Sequence, residues 1–137
     1  MKRLILTSAM CICAGAAMAG GHEMPPRVDA TDQDVAGGTV TAEAVVAPNH
    51  GWLVVHRTAD DMKPGPVVGY APLRKGENSD VVALLSEKVT TGDKLMLMIH
   101  GEEGGMSQGI FEYSLGAKED GPIRQDDKLV MRIISAE

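Results

Sequence analysis

Residues 39–58 read TVTAEAVVAPNHGWLVVHRT, and this stretch decides the fold class. In its first nine residues small apolar side chains alternate with polar ones, which is the period of a β-strand with one buried face. The residues expected to face inward are Val40, Ala42, Ala44 and Val46. The segment Pro48–Gly51 has the composition of a turn, and a second run rich in β-branched residues begins at Trp52. The stretch therefore predicts two consecutive strands joined by a short turn.

Similar runs recur along the chain at intervals of about 8–14 residues, separated by clusters of Gly, Pro, Asn and Asp. The predicted strands are Thr39–Ala47, Trp52–Thr58, Pro66–Ala71, Ser79–Ser86, Lys94–His100, Gly109–Ser114 and Lys128–Ser135. Many short strands with turn signals between them are typical of two packed antiparallel sheets. We therefore expect an all-β fold, a single antiparallel β-sandwich of about seven strands.

The amino-terminal residues have the features of a secretion signal. Met1-Lys2-Arg3 is basic, the stretch up to Ala17 is apolar and small, and Ala17-Met18-Ala19 matches an A-x-A cleavage site. We expect a signal peptide at residues 1–19, a flexible arm at 20–34 and the β-sandwich domain at 35–137, in a periplasmic or secreted protein. Cleavage would remove Cys11 and Cys13, so the mature domain would lack disulfides and cysteine-ligated metals.

Composition excludes several classes of function. The 137 residues carry a net charge of −6, and loss of Lys2 and Arg3 with the signal makes it −8. An acidic chain of this kind is not expected to bind nucleic acid or anionic membranes. The apolar run in the signal is too short to span a bilayer. The serines lack the sequence context of a hydrolase nucleophile, so we expect no enzyme.

The first candidate metal site is the sequence Gly20-Gly21-His22. If cleavage follows Ala19, the free amine, two amide nitrogens and the imidazole of His22 provide four nitrogens in the square-planar arrangement that Cu(II) and Ni(II) prefer. The alternative is an incidental short arm that contains a histidine.

The second candidate lies on the strand Lys94–His100. Met96, Met98 and His100 alternate with the aliphatic Leu95, Leu97 and Ile99, which are the better choice for the core. Thioethers and imidazole together suit Cu(I). The alternative, which the residue types favour, is that both faces of a central strand are covered and the methionines only fill space.

A third candidate is His56, on the same face of its strand as Trp52. If its strand neighbours Lys94–His100, His56 and His100 could approach each other with Glu102 or Glu103 in reach, as a zinc or copper site. A buried, hydrogen-bonded structural histidine is the more common alternative. Aromatic residues are few, and we expect them to anchor the core: Trp52, Tyr70, Phe111 and Tyr113.

Five segments together resemble a known family of sequences: Ala47–His56, Val68–Tyr70, Leu95–Glu102, Gly109–Tyr113 and Asp120–Pro122. They contain the patterns GW-x-V-x-H and M-x-H-x-E. This chain is similar to a family of uncharacterised secreted domains of bacteria and haloarchaea, over about residues 35–134. The resemblance implies a small immunoglobulin-like sandwich outside the cytoplasm, often on cell-surface proteins, and implies no activity.

Together these observations predict an exported, non-enzymatic module with an immunoglobulin-like or cupredoxin-like sandwich, which binds an unknown protein or cell-surface partner. The alternative is a periplasmic copper-binding protein that uses Gly20-Gly21-His22 and the Met/His strand face. An unpaired edge strand could also join two copies into a homodimer.

Overall fold

Nine β-strands and no helix make up residues 24–137, the part of the chain that this computed structural model describes. The strands are β1 Arg27–Asp29, β2 Thr39–Ala47, β3 Gly51–Thr58, β4 Val67–Leu73, β5 Gly76–Leu85, β6 Lys94–Gly101, β7 Arg124–Gln125, β8 Lys128–Leu129 and β9 Met131–Ser135. With no helix, these described residues contain no helical segment capable of crossing a bilayer.

Seven of the strands form one antiparallel sheet in the order β1-β2-β5-β4-β3-β6-β9, and β7 and β8 form a separate hairpin. Between β4 and β5 only two residue pairs are matched, Gly69 with Leu85 and Tyr70 with Leu84. The sheet therefore divides into a three-stranded layer, β1-β2-β5, and a four-stranded layer, β4-β3-β6-β9. At the other side a bridge between Gln33 and Ala136 nearly closes the structure. The predicted all-β fold of about seven antiparallel strands is confirmed.

The main core consists of aliphatic side chains packed in one cluster. On β6 the inward residues are Leu95, Leu97 and Ile99, each 1 % exposed or less, as the alternation predicted. Leu53 and Val55 on the paired strand β3 join the same cluster. Since burial of each such side chain contributes about 1.5–3 kcal/mol, this cluster is the main source of stability.

The inward set predicted for β2 is only partly correct. Val40 and Ala42 belong to the core, but beyond them Val45 and Ala47 take the inward positions instead of Ala44 and Val46. The change occurs opposite Asp80, whose φ of 49° lies in the left-handed region and which is not matched with its partner on β2. The pairing register is the same on both sides of this position, so no residue is inserted, and a strict period of two cannot anticipate the change of face within β2.

Three predicted segments differ from the structure. The expected arm at 20–34 contains β1, which pairs Val28 with Val45, because three residues are too few to give a periodic signal and the strand exists only through its partner. The predicted strand Gly109–Ser114 is not a strand. Its aromatic residues instead pack over the outer face of the four-stranded layer, inside the segment that joins β6 to β7. The prediction Lys128–Ser135 is divided at Val130 into β8 and β9.

Candidate functional site

His56 and His100 meet on the outer face of the four-stranded layer, opposite to the main core. In the pairing of β3 with β6, His56 lies opposite Met96 and His100 lies opposite Trp52. The two imidazoles lean towards each other across the intervening pair, so that their Nε2 atoms are 3.3 Å apart and their ring centroids 5.4 Å apart. Strand pairing therefore creates the contact that the sequence only suggested. We call these two residues the histidine pair.

The other nitrogen of each ring is held by a backbone carbonyl. His56 Nδ1 donates to the oxygen of Gly65 at 2.8 Å, and His100 Nδ1 donates to the oxygen of Asp120 at 2.6 Å. The Gly65 peptide is itself fixed, because its N–H donates to the oxygen of Arg57 at 2.8 Å. A carbonyl oxygen only accepts hydrogen bonds, so each Nδ1 must carry its hydrogen.

With both hydrogens on Nδ1, the two Nε2 atoms of the histidine pair have no hydrogen bond to each other. A neutral imidazole with its hydrogen on Nδ1 has a lone pair on Nε2. The two Nε2 lone pairs therefore face each other at 3.3 Å with no hydrogen between them. Moving the hydrogen of one ring to Nε2 would satisfy this contact but would point a lone pair at a carbonyl oxygen. Only a cation shared by the two Nε2 atoms satisfies all four nitrogens.

A proton is an unfavourable cation at this position, because both imidazole rings are buried. His56 is 0 % exposed and His100 is 1 % exposed. Burial lowers the pKa of His56 below 6.5, and burial together with the neighbouring His56 lowers the pKa of His100 to about 4 despite its hydrogen bond to Asp120. Both rings are therefore neutral at pH 7, because loss of hydration disfavours the imidazolium form.

The segment 102–123, which we call the covering loop, closes over the histidine pair. The ring of Tyr113 stands edge-on to both imidazoles, with centroid distances of 4.5 Å to His100 and 5.9 Å to His56. Asp120 is buried and has a φ of 46°. Its carboxylate accepts from the N–H of Glu112 at 2.7 Å, and its other carboxylate oxygen has no partner. Asp120 thus links the covering loop to His100 through its main chain and to the loop itself through its side chain.

The methionines predicted to form an outward stripe with His100 are covered instead. Met96 is 0 % exposed and Met98 is 1 % exposed, although both lie on the face away from the core. The alternative, in which both faces of this strand are buried, is the one that the structure shows. At His100, on the same face, the rings of Phe111 and Tyr113 from the covering loop provide part of the cover.

Of the two remaining predicted ligands, Glu102 and His22, the structure describes Glu102. Glu102 does not reach the histidine pair, because it turns into the covering loop and accepts from the N–H of Gly109 at 2.9 Å. Among residues 24–137 no group of three or more His, Cys, Asp or Glu could hold a metal ion. His22 lies outside the described residues.

The four aromatic residues form a cluster of their own rather than anchoring the main core. Phe111 lies 4.5 Å from Tyr70, 5.6 Å from Trp52 and 6.2 Å from Tyr113, measured between ring centroids. None of the four belongs to the aliphatic cluster between the layers. Trp52 is buried, and these ring contacts join the covering loop to the outer face of β3 and β4.

Comparison with known proteins gives one match. A family model described as a domain of unknown function, DUF7282, matches residues 26–137. No curated protein matches the chain, and no solved structure does. The matched range begins one residue before β1 and includes the histidine pair and the covering loop.

Proposed function

The chain belongs to this family of domains of unknown function, and from its geometry we propose that it is an exported, non-enzymatic module that binds copper between His56 and His100. One observation carries the proposal: both Nδ1 atoms donate to backbone carbonyls, so both Nε2 lone pairs point at one place. Two metal–nitrogen bonds of about 2.0 Å at a tetrahedral angle span about 3.3 Å. The separation of the two Nε2 atoms has this value.

The carbonyl partners support the proposal independently. A histidine that ligates a metal almost always donates its second N–H to a carbonyl, a carboxylate or water, which fixes the ring and its tautomer. Gly65 and Asp120 supply this bond to both rings. Copper would provide the coordination bonds that offset the cost of bringing a cation to a buried place, whereas a proton gains only one hydrogen bond.

The burial of the histidine pair argues for binding rather than catalysis. A cavity of about 410 Å³ lies beside Val35 and Glu87, and another of about 390 Å³ lies beside Tyr70 and Leu84. Neither is lined by either histidine. A substrate in these cavities would therefore not touch the imidazoles, whereas an ion could reach them by a small displacement of the covering loop.

The test is a metal titration of the mature domain carrying His22→Ala, which removes the separate amino-terminal copper site predicted from the sequence. We expect one equivalent of copper to bind and to shift the imidazole Nε2 resonances in nitrogen NMR spectra while the Nδ1 hydrogens are retained. His56→Asn and His100→Asn each keep an N–H near the Nδ1 position and remove Nε2, and both should abolish binding. The control is His50→Asn, at an exposed histidine of the β2–β3 turn. Copper binding that survives in both buried variants, or no binding by the unchanged protein, would refute the proposal.

Export and a second copper site at Gly20-Gly21-His22 stay predictions from the sequence. Both are tested by the mass of the amino-terminal peptide of the protein recovered from cells. If cleavage follows Ala19, Cu(II) should give a visible d–d band that His22→Ala removes.

A second candidate function is contact with a protein or cell-surface partner. The observation that favours it is an exposed apolar strip on β4 and β5, in which Tyr70 and Val82 are 50 % exposed and Leu84 is 75 % exposed. Contiguous exposed apolar side chains often mark contact surfaces. Labelled protein should bind to cells that lack their own copy, and Leu84→Ser should weaken this binding while Leu115→Ser, at an equally apolar loop position, should not. Sedimentation of the free protein tests the homodimer.

A further inference from the structure

Met98 lies on the pair of residues between the two histidines. Along β3 and β6 the outward pairs are His56 with Met96, then Val54 with Met98, then Trp52 with His100. The imidazoles lean towards each other over the middle pair, because their Nε2 atoms are 3.3 Å apart. Met98 therefore lies in the residue pair between the two histidines, whereas Met96 is the cross-strand partner of His56 and lies two residues farther from His100 along β6.

No harder ligand competes with this thioether. Within the described range 24–137, no carboxylate, thiol or third imidazole joins the histidine pair to form a group of three. Zn(II) is almost always bound by four ligands, and Cu(II) prefers tetragonal nitrogen and oxygen sites. Methionine sulfur selects Cu(I), which is stable with two or three ligands.

The charge of the ligands also favours a monovalent copper ion. The two rings and a thioether are neutral ligands, and all are at most 1 % exposed. The cost of moving an ion out of water rises with the square of its charge, so a divalent ion would cost about four times as much as a monovalent one at this place. Asp120, which holds His100 through its main chain, is the buried acidic residue next to the site. A single carboxylate can balance one positive charge and not two.

We infer that the site is a Cu(I) site in which Met98 is the third ligand beside His56 and His100. The inference rests on the proposed copper-binding function and goes further by assigning the oxidation state and the sulfur ligand. Met96 has a structural role.

The experiment compares Met98→Leu with Met96→Leu in the mature domain carrying His22→Ala, so that the predicted amino-terminal Cu(II) site does not contribute. Both changes conserve volume on the same buried face, and such changes usually cost less than about 1.5 kcal/mol of stability. The affinity for Cu(I) is measured without oxygen by competition with a coloured Cu(I) chelator, and Ag(I) serves as a probe that cannot change oxidation state. We expect Met98→Leu to weaken Cu(I) and Ag(I) binding by about 10–100-fold, the range known for loss of supporting metal-site residues. Met96→Leu should stay within about threefold of the unchanged protein.

The outcomes separate the two proposals. If the unchanged protein binds neither Cu(I) nor Cu(II), the proposed function fails. If it binds Cu(I) at the histidine pair but Met98→Leu and Met96→Leu behave alike, only the Met98 inference fails. Tighter binding of Cu(II) or Zn(II) than of Cu(I) would also overturn it. X-ray absorption gives a direct check, since a sulfur neighbour of copper should be present in the unchanged protein and absent from Met98→Leu.

Discussion

Acidification of the metal-free protein should destabilise it well before its carboxylates titrate. In the folded state the pKa of His100 is about 4, because the ring is buried, whereas the ordinary value of 6.5 applies once the chain unfolds. Between these two values the unfolded chain binds a proton at this residue and the folded protein does not. The stability that His100 contributes is therefore fully present above pH 6.5 and is lost as the pH falls towards 4.

The size of the effect follows from the same interval. At about 1.4 kcal/mol for each pH unit, the interval from 6.5 to about 4 corresponds to a loss of about 3 kcal/mol of unfolding free energy. Three groups that titrate face the His100 ring or hold it: His56 from β3, and Tyr113 and Asp120 from the covering loop. Burial lowers the pKa of His56 as well, so its contribution has the same sign.

The assay is urea unfolding at several pH values between 7.5 and 4.5 in the presence of a metal chelator. The unfolding free energy should fall most steeply below pH 6.5. The pKa values of Asp60 and Asp93 are lowered below 3.8 by the hydrogen bonds these residues accept, so any stability they contribute is lost only at more acidic pH. His100→Asn should flatten the profile, because it removes the titrating ring and keeps a donor for the carbonyl of Asp120. His50→Asn should leave the profile unchanged.

A flat profile in the unchanged protein, or the same slope in His100→Asn, would refute this reasoning. A flat profile would mean that His100 binds a proton equally well in the folded and unfolded states, and an equal slope in His100→Asn would mean that another group causes the pH dependence. Copper should bind more weakly at low pH, since copper and protons compete for the same Nε2 lone pairs.

Three further predictions concern packing. Leu53→Ala should lower the unfolding free energy by about 2–5 kcal/mol in urea titrations, since the side chain is fully buried in the aliphatic core. Gly51→Ala should lower the midpoint of thermal unfolding, because its Cβ would lie 2.2 Å from the carbonyl oxygen of His100, whereas Gly37→Ala meets nothing within 4 Å and should be tolerated. Asp120→Ala should cost about 1–3 kcal/mol and speed hydrogen exchange in the covering loop, as a buried N–H loses its acceptor. Asp120→Asn keeps an acceptor, and asparagine tolerates the positive φ, so this change should alter the unfolding free energy and the hydrogen exchange less than Asp120→Ala does.

The strands could be predicted from the sequence where local pattern and long-range pairing agree. Thr39–Ala47 was predicted with its observed bounds, and β3 and β6 begin or end within one residue of prediction. These segments are long, β-branched and bounded by turn residues. The alternation of Leu95, Leu97 and Ile99 also identified the core face, because β6 has no bulge in its pairing with β3.

The covering loop could not be predicted from the sequence for a physical reason. Gly109–Ser114 contains Ile110, Phe111 and Tyr113, which have high strand propensity, but propensity reports a preference for a half-buried surface and not for a hydrogen-bonded ladder. The segment satisfies that preference through ring contacts with Tyr70 and Trp52. Phe111 and Tyr113 of this segment also contact the His100 ring, so the burial of this histidine depends on a segment whose position cannot be predicted from any sequence period.

The main core and the histidine pair answer different physical demands. The cluster that holds the two layers together contains only aliphatic side chains, and it lies on the opposite face of β3 and β6 from the imidazoles. Stability alone would favour aliphatic residues on the outer face too, since a buried polar group costs free energy unless every donor and acceptor is paired. Here two carbonyls fix the Nδ1 hydrogens, and the same bonds force two lone pairs together. Such local conflict in an otherwise consistent fold is expected where a site is built for something that the chain alone does not contain, and a cation between the two Nε2 atoms is the species that removes it.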